Sequence, residues 1–330
     1  MATIATRPSG IAGLPRVARL SWNFLREAPT IPILILSVLV FVAVFAPLLS
    51  PHDKLKPVVQ SPEACQKAFG FEDCPWIDDI PPFWATIERT NREGEVIAIR
   101  EGSWSTPLGT DDQGRDMLTR LMYGARISLI VALVGTLLAG AIGTLLGVIA
   151  GYFGHWWDTI IMRITDAWLT LPTLVFAILL SSFRGGGGMW DIVIILAVVF
   201  WSRYARLVRG EVLSLKERDF IKLAEVTGAS KVRIIFRHLI PNVLNTVMVF
   251  FSLIVGVAII IEANLSFLGV GISPPEPAWG LMIAREGAAL QEGKWWLPVF
   301  PGICIALLVL SANMLGDWLR VRLDPQLRNR

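Results

Sequence analysis

A chain of 330 residues that is 54% hydrophobic and only 17% charged, with a mean hydropathy of +0.58, falls outside the range of soluble domains and inside that of membrane proteins. Three cysteines and three histidines, with no Cys-x-x-Cys or His-x-x-x-His spacing, argue against a metal site, and the chain has no G-x-x-x-x-G-K-[ST] loop for a nucleotide. The formal charge of +3 says little as a sum; its distribution along the chain says more.

Residues 1–30 carry Arg7, Arg16, Arg19 and Arg26 against a single acid, Glu27. The apolar run 31–50 has the ~20 residues that a helix needs to cross a bilayer. It is longer than the apolar core of a secretory signal, and Ala43 and Ala46 lack the A-x-A cleavage spacing, so it reads as a retained first span. Residues 51–110 form a polar, proline-rich insert with Trp76, Trp84 and Trp104. Within it, Glu93-Gly94 between Thr90 and the alternating Val96 to Ile99 predicts a small hairpin. Cys65 and Cys74 are close enough in sequence to bridge, which would stabilise the insert by about 2.5–3 kcal/mol on a loop-entropy estimate; two free thiols are the alternative.

The next segment, Leu108 to Leu129, is an acidic turn punctuated by Gly109 and Gly114 that leads into a helix, with Arg115 and Asp116 near its start. Its pattern, GTDxxGRDxLxRLxYGAR-SL, resembles the segment before the second span of dipeptide and oligopeptide permeases, the C-type subunit. The second span is predicted at about 127–150. Along it Gly135, Ala139, Gly143, Gly147 and Gly151 recur every four residues, a stripe that allows close approach of another helix of this chain or of a partner. The third span is predicted at about 159–182 and contains Pro172; Arg163 and Asp166, three apart, can pair as a clamp or mark a functional charge. Gly185 to Gly188 read as a hinge or turn, and the fourth span follows at about 189–204, with an extension to 208 open.

Between Ser202 and His238 lie nine basic residues against four acidic ones, which by the positive-inside rule places this connection in the cytoplasm. Here Asp219 to Pro241 read as two short amphipathic helices joined at Gly228, the first with Phe220, Leu223 and Ala224 on one face, the second with Val232, Ile235, Phe236 and Leu239. Gly228 suits the left-handed end of a helix, Ser230 an N-cap, and Pro241 the start of a new helix. The order Ala224, Gly228, Ala229, Ile234, Ile235, His238, Leu239, Pro241 resembles the cytoplasmic "EAA loop" of binding-protein-dependent ABC importer permeases, with one departure: the motif's Glu-Ala-Ala falls on Lys222, Leu223 and Ala224. The fifth span is predicted at about 242–261. Beyond it, Glu262 to Gly271, Pro274, Pro275, Pro277, Trp279 and Gly280 resemble another segment of the same family, and the sixth span, about 297–315, ends in a basic tail. Eight tryptophans, among them Trp156, Trp190, Trp295, Trp296 and Trp318, lie at or near span ends, as interfacial aromatics do.

The reading is an all-α integral membrane chain with six transmembrane helices. It divides into a cytoplasmic segment 1–30, a first helix 31–50, an extracytoplasmic insert 51–110, a five-helix permease core 111–318 and a cytoplasmic tail 319–330, both termini lying inside a bacterial inner membrane. What the resemblance implies is a non-catalytic permease subunit for di- or oligopeptides, without cofactors and without nucleic acid. Its partners would be the lipid bilayer, a second homologous permease, two ATP-binding ABC subunits and an extracytoplasmic solute-binding protein. The residues implied in coupling to the ATPase are Lys222, Leu223, Ala224, Gly228, Ala229, His238 and Pro241. Alternatives are a permease of the same family for nickel chelates, oligosaccharides or peptide antibiotics, a secondary transporter, and a membrane scaffold. A secondary transporter needs ionisable residues near the bilayer midplane, which the deep parts of these spans lack; a scaffold would not need the helix pair before the fifth span.

Overall fold

A computed structural model describes residues 29–58, 80–90, 96–184 and 187–323. Cys65 and Cys74, the tip of the hairpin, and Gly185 and Gly186 lie outside them. Helix α1 (Thr30–Leu49) is followed by the strands β1 (Thr86–Thr90) and β2 (Val96–Glu101), which pair antiparallel with Thr86 opposite Glu101, as the alternating pattern predicts. Then come α2 (Met117–Phe153), α3 (His155–Thr170), α4 (Thr173–Arg184), α5 (Met189–Lys216), α6 (Asp219–Val226), the long α7 (Lys231–Phe267), α8 (Trp279–Glu286) and α9 (Trp296–Leu323).

Helix α2 packs against α1, α3, α5, α7, α8 and α9, most extensively against α5. Its glycine stripe faces α5, which decides between the two partners left open by spacing alone. A methyl group at Gly147 would stand 2.7 Å from the Ala205 carbonyl oxygen and 2.8 Å from Val208 Cβ; one at Gly151 would stand 2.9 Å from Val212 Cβ, and one at Gly135 3.0 Å from Leu196 Cβ. In lipid there is no hydrophobic drive between helices, so this close backbone approach supplies the packing instead. Ala139 and Ala205 are fully buried in the same seam.

The segment predicted as a third span is broken. Leu171 is extended, as the residue before a proline prefers, and α3 and α4 meet at 95°. At about 1.5 Å per residue, the 16 residues of α3 and the 12 of α4 each fall short of a ~30 Å hydrocarbon layer. Four helices, α1, α2, α7 and α9, are long and apolar enough to cross by themselves, and the bent pair makes a fifth if taken as one span. Helix α5 is long enough at 28 residues, but Arg203, Arg206 and Arg209 interrupt its apolar run. Each of the three is met from the bent pair: Arg203 Nη2 donates to Thr173 Oγ1 at 2.6 Å, Arg206 pairs with Asp166, and Arg209 Nη2 donates to Asp158 Oδ2 at 2.7 Å. Asp166 thus pairs across to α5 rather than along its own helix with Arg163, because a neighbouring helix packed on the same face brings a guanidinium closer than the i, i+3 geometry does.

The acidic turn before α2 is a buried charge knot. Asp116 caps α2, accepting from Thr119 N at 3.1 Å and Thr119 Oγ1 at 2.6 Å. Asp111 accepts from Arg115 N and Nε at 2.9 and 2.7 Å, and its other buried neighbour, Arg120 Nε, lies 3.2 Å away. The carboxylate oxygens of Asp111, Asp112 and Glu286 lie within 4.8 Å of one another, and the two guanidinium groups stand against them where a cation would. Replacing Asp111 by Ala takes the closest buried carboxylate from both arginines, leaving Arg115 the 3.9 Å contact to the half-exposed Asp112, and the expected loss of stability is about 3–5 kcal/mol, the cost of breaking a buried ion pair. Asp116→Ala, which removes one cap, should cost about 1 kcal/mol. Thermal unfolding of the detergent-purified chain compares the two; equal effects would mean that the knot contributes no more than a cap.

At the far end of α7, Glu262 is fully buried between hydroxyl donors, Ser128 Oγ at 3.0 Å and Ser266 Oγ at 2.9 Å. Ser266 Oγ in turn accepts from Ile272 N at 3.2 Å, so one carboxylate ties α2, α7 and the following loop together. That is the physical role of the Glu-x-x-x-Ser spacing.

Candidate functional site

The stretch 218–241 forms a short helix, a tight reversal and a helix start, set on a small core of its own. That core collects Val148 and Tyr152 from the end of α2, Val208, Val212 and Leu215 from the end of α5, Ile221, Ile234 and Leu239 from the site itself, and Val243 from α7 just beyond it. A displacement of α6 therefore bears directly on three long helices.

The reversal after α6 is a Schellman motif. Ala229 N donates to Ala224 O and Gly228 N to Glu225 O, both at 3.0 Å, and Gly228 takes φ +78°. The two alanines at its ends, Ala224 and Ala229, both pack against the small core. This accounts for small residue, glycine and alanine at positions 224, 228 and 229: the closing bonds need a left-handed residue between them, and the side chains that flank the crossing must be short. Ser230 caps the next helix, accepting from Arg233 N at 3.4 Å.

Two expectations for this stretch change. The second short helix is the start of α7 itself: the α-turn Lys231–Ile234 leads through a wider π-helical turn at Ile235–Leu239 into the α-helical stretch Ile240–Phe267, in whose first turn Pro241 stands as expected. Proline inside a helix has no N–H and crowds the carbonyl of the preceding turn, and a π-turn there loosens the ladder at that place. The faces also differ. The residue that anchors α6 is Ile221, which is buried, whereas Leu223 and Val226 are 63% and 85% exposed. In the following helix Ile234 and Leu239 are buried, while Val232 and Phe236 are 65% and 68% exposed. Both helices are apolar on two sides, and a single-stripe template picks out only one of them. The pairing of Ile221 with Ala224 at i, i+3 was the available signal for the anchored side.

Of the remaining predicted residues, His238 stands with its ring 6.4 Å from that of Phe220, across the reversal. Lys222 is half exposed and pairs with Glu217 at 3.0 Å. A solvated pair of that kind contributes about 0–1 kcal/mol, so the base in the place of the family's acid leaves the shape of the helix pair unaffected.

The family model for the binding-protein-dependent transport system inner membrane component matches residues 143–329, more than half of the chain and all of this site. The chain belongs to this family. It is 42% identical over 227 residues to a Brucella suis protein that carries the name of a peptide permease, covering 68% of this chain and 74% of that one. A glutathione transport system permease protein, GsiD, of Pectobacterium atrosepticum is also 42% identical, over 67% of this chain and 73% of the relative. The fold is similar to a chain of the methionine ABC transporter MetNI in an inward-facing form, with a TM-score of 0.50 at 17% identity, covering 63% of this chain and 98% of that one. The protein is thus a multi-pass inner-membrane permease component. In this permease the glycine seam, the charge knot and the reversal at Gly228 are parts of one helical frame, and Leu223, Val226, Val232 and Phe236 are among the apolar residues that the frame leaves exposed.

Proposed function

We propose that this permease is one half of the translocation pathway of an ABC importer for peptides or peptide-like solutes, and that residues 218–241 are the element through which separate ATPase subunits drive it. The observation that carries the reading is the division of labour in the helix pair: Ile221, Ile234 and Leu239 anchor it to the ends of α2, α5 and α7, while Leu223, Val226, Val232 and Phe236 remain exposed. Apolar side chains clustered on a connection this rich in charge fit a groove on a protein partner. The names of the relatives support peptide or glutathione as the substrate class.

In this reading the helix pair and both termini are cytoplasmic, in keeping with nine basic against four acidic residues between Ser202 and His238, and residues 51–110 lie outside. A second, homologous permease completes the pathway, and an extracytoplasmic binding protein delivers the solute and sets most of the selectivity. ATP binding draws two ATPases together; each grips one helix pair more tightly in one nucleotide state than in the other, and only that difference can bias the pathway. Leu223 makes the contact, Ala224, Gly228 and Ala229 hold the reversal, the ring of His238 supports Phe220, and Pro241 begins the rigid part of α7. The reading is tested by co-expressing this chain with its second permease and ATPases, reconstituting them in vesicles with the binding protein, and measuring labelled peptide uptake. ATP-dependent uptake lost on omission of this chain is the expected result. Uptake driven by an ion gradient without ATPases would overturn it.

A further inference from the structure

Among the described residues of the segment between α1 and α2, the base of the β1–β2 hairpin presents an aromatic surface that the permease function does not use. Phe83 stacks on Trp104 with ring centroids 3.8 Å apart and meets Trp84 edge-on at 4.7 Å. Trp84 is 52% exposed and Trp104 74% exposed. The presentation is rigid, because backbone bonds close the hairpin base, Gly102 N to Ala85 O at 3.1 Å, and tie it to the turn-rich segment that follows, Phe83 N to Pro107 O at 3.3 Å and Thr110 N to Ile80 O at 2.9 Å.

The height of this surface is set by its contact with a membrane helix. Trp84 packs edge-on over Phe300, with centroids 6.3 Å apart, and Trp295 meets the same ring at 5.9 Å. Phe300 stands in the second turn of α9, which begins at Trp296. Below Trp295, on the same face of that helix, Val299, Ile303, Leu307, Leu310 and Met314 follow at spacings of three and four, all exposed. This is the outward stripe of a membrane-crossing helix, and the aromatic surface is its continuation past the helix end. The residues that build it, 81–85, 102–105 and 295–300, include no charged side chain. A surface of indoles without charges, at the end of an apolar stripe, fits the layer between hydrocarbon and water, where an aromatic ring buries its body and keeps its N–H wet.

We infer that the hairpin base lies on the bilayer, with Trp84, Trp104 and Trp295 seated among the lipid headgroups of the leaflet at which α9 begins. The hairpin base, residues 81–85 and 102–105, is then a surface-lying element, held at fixed depth, that steadies α9 at one end. The inference does not depend on the substrate or on which side is cytoplasmic; it needs only α9 to cross the membrane.

The test places the photoreactive residue p-benzoyl-phenylalanine at Trp84 and, in a second variant, at Trp104, an aromatic replacement that keeps a ring beside Phe83. The variants are assembled with the other transporter subunits and the binding protein in phosphatidylethanolamine–phosphatidylglycerol nanodiscs and irradiated, with Leu310 on the outward stripe of α9 as the lipid-facing reference. The expected result is a phospholipid-mass adduct at both positions, as at Leu310. Adducts to the second permease or the binding protein would overturn the inference in favour of a protein interface. The absence of any adduct at either position, with Leu310 labelled, would overturn it in favour of a water-facing surface.

Discussion

Gly228→Val is expected to abolish peptide uptake by the assembled transporter while leaving membrane insertion and basal ATP hydrolysis in place. The cause is backbone conformation rather than crowding. No atom lies within 4 Å of where a Cβ at this position would stand, so there is room for the side chain, but φ of +78° is a region that a β-branched residue scarcely enters. Holding a non-glycine residue there costs about 1–3 kcal/mol, which lowers the ratio of closed to open reversals roughly 5- to 150-fold. Without it the bonds from Ala229 to Ala224 and from Gly228 to Glu225 are lost, and α6 no longer moves with α7. Asn, which tolerates left-handed backbone far better, should retain most of the uptake. Parallel uptake and ATPase assays on Gly228→Val and Gly228→Asn decide the point. If the two variants transport equally well, the reversal is not what links the helices.

Leu223→Asp combined with Val226→Asp is expected to detach the permease from its ATPases without unfolding it. Both side chains are mostly solvent-exposed, and substitutions at such positions change folding stability by only about 0.5 kcal/mol either way. In an interface the balance reverses. A buried apolar anchor is often worth about 2 kcal/mol or more, roughly a 30-fold change in affinity, and a carboxylate in its place adds the cost of burying an unpaired charge. Co-purification of the ATPases on a tagged permease, beside the melting temperature of the permease alone, separates the two effects. Retention of the ATPases at normal yield would place the docking surface elsewhere. Loss of the ATPases with a large fall in melting temperature would show instead that these side chains belong to the fold.

Much of this molecule was legible in order along the chain, because the features concerned are local. An apolar run of about 20 residues reads as a membrane helix without knowledge of its neighbours, and α1, α2, α7 and α9 all contain the predicted runs. Alternation around a turn signal placed the hairpin. Gly228 and Ser230 were identifiable because a Schellman reversal and an N-cap are built from bonds within a few residues, and side-chain type controls them directly.

What went unread depends on which surfaces meet. A stripe of small residues announces that some helix comes close, but only the packed structure shows that α5 is the helix. Asp166 and Arg206 are 40 residues apart, and no spacing rule links them. Pro172 marks a break, yet a proline can kink a span or end it, and only packing of both pieces on α5 and its arginines decides for the 95° bend. In the candidate site the same distinction applies to one short helix. From sequence, α6 has one legible apolar face, with Phe220, Leu223 and Ala224, which leaves Ile221 and Val226 unassigned. Tertiary contact alone decided that Ile221 anchors and Leu223 is offered, because burial is a property of a pair of surfaces and a sequence specifies only one of them at a time.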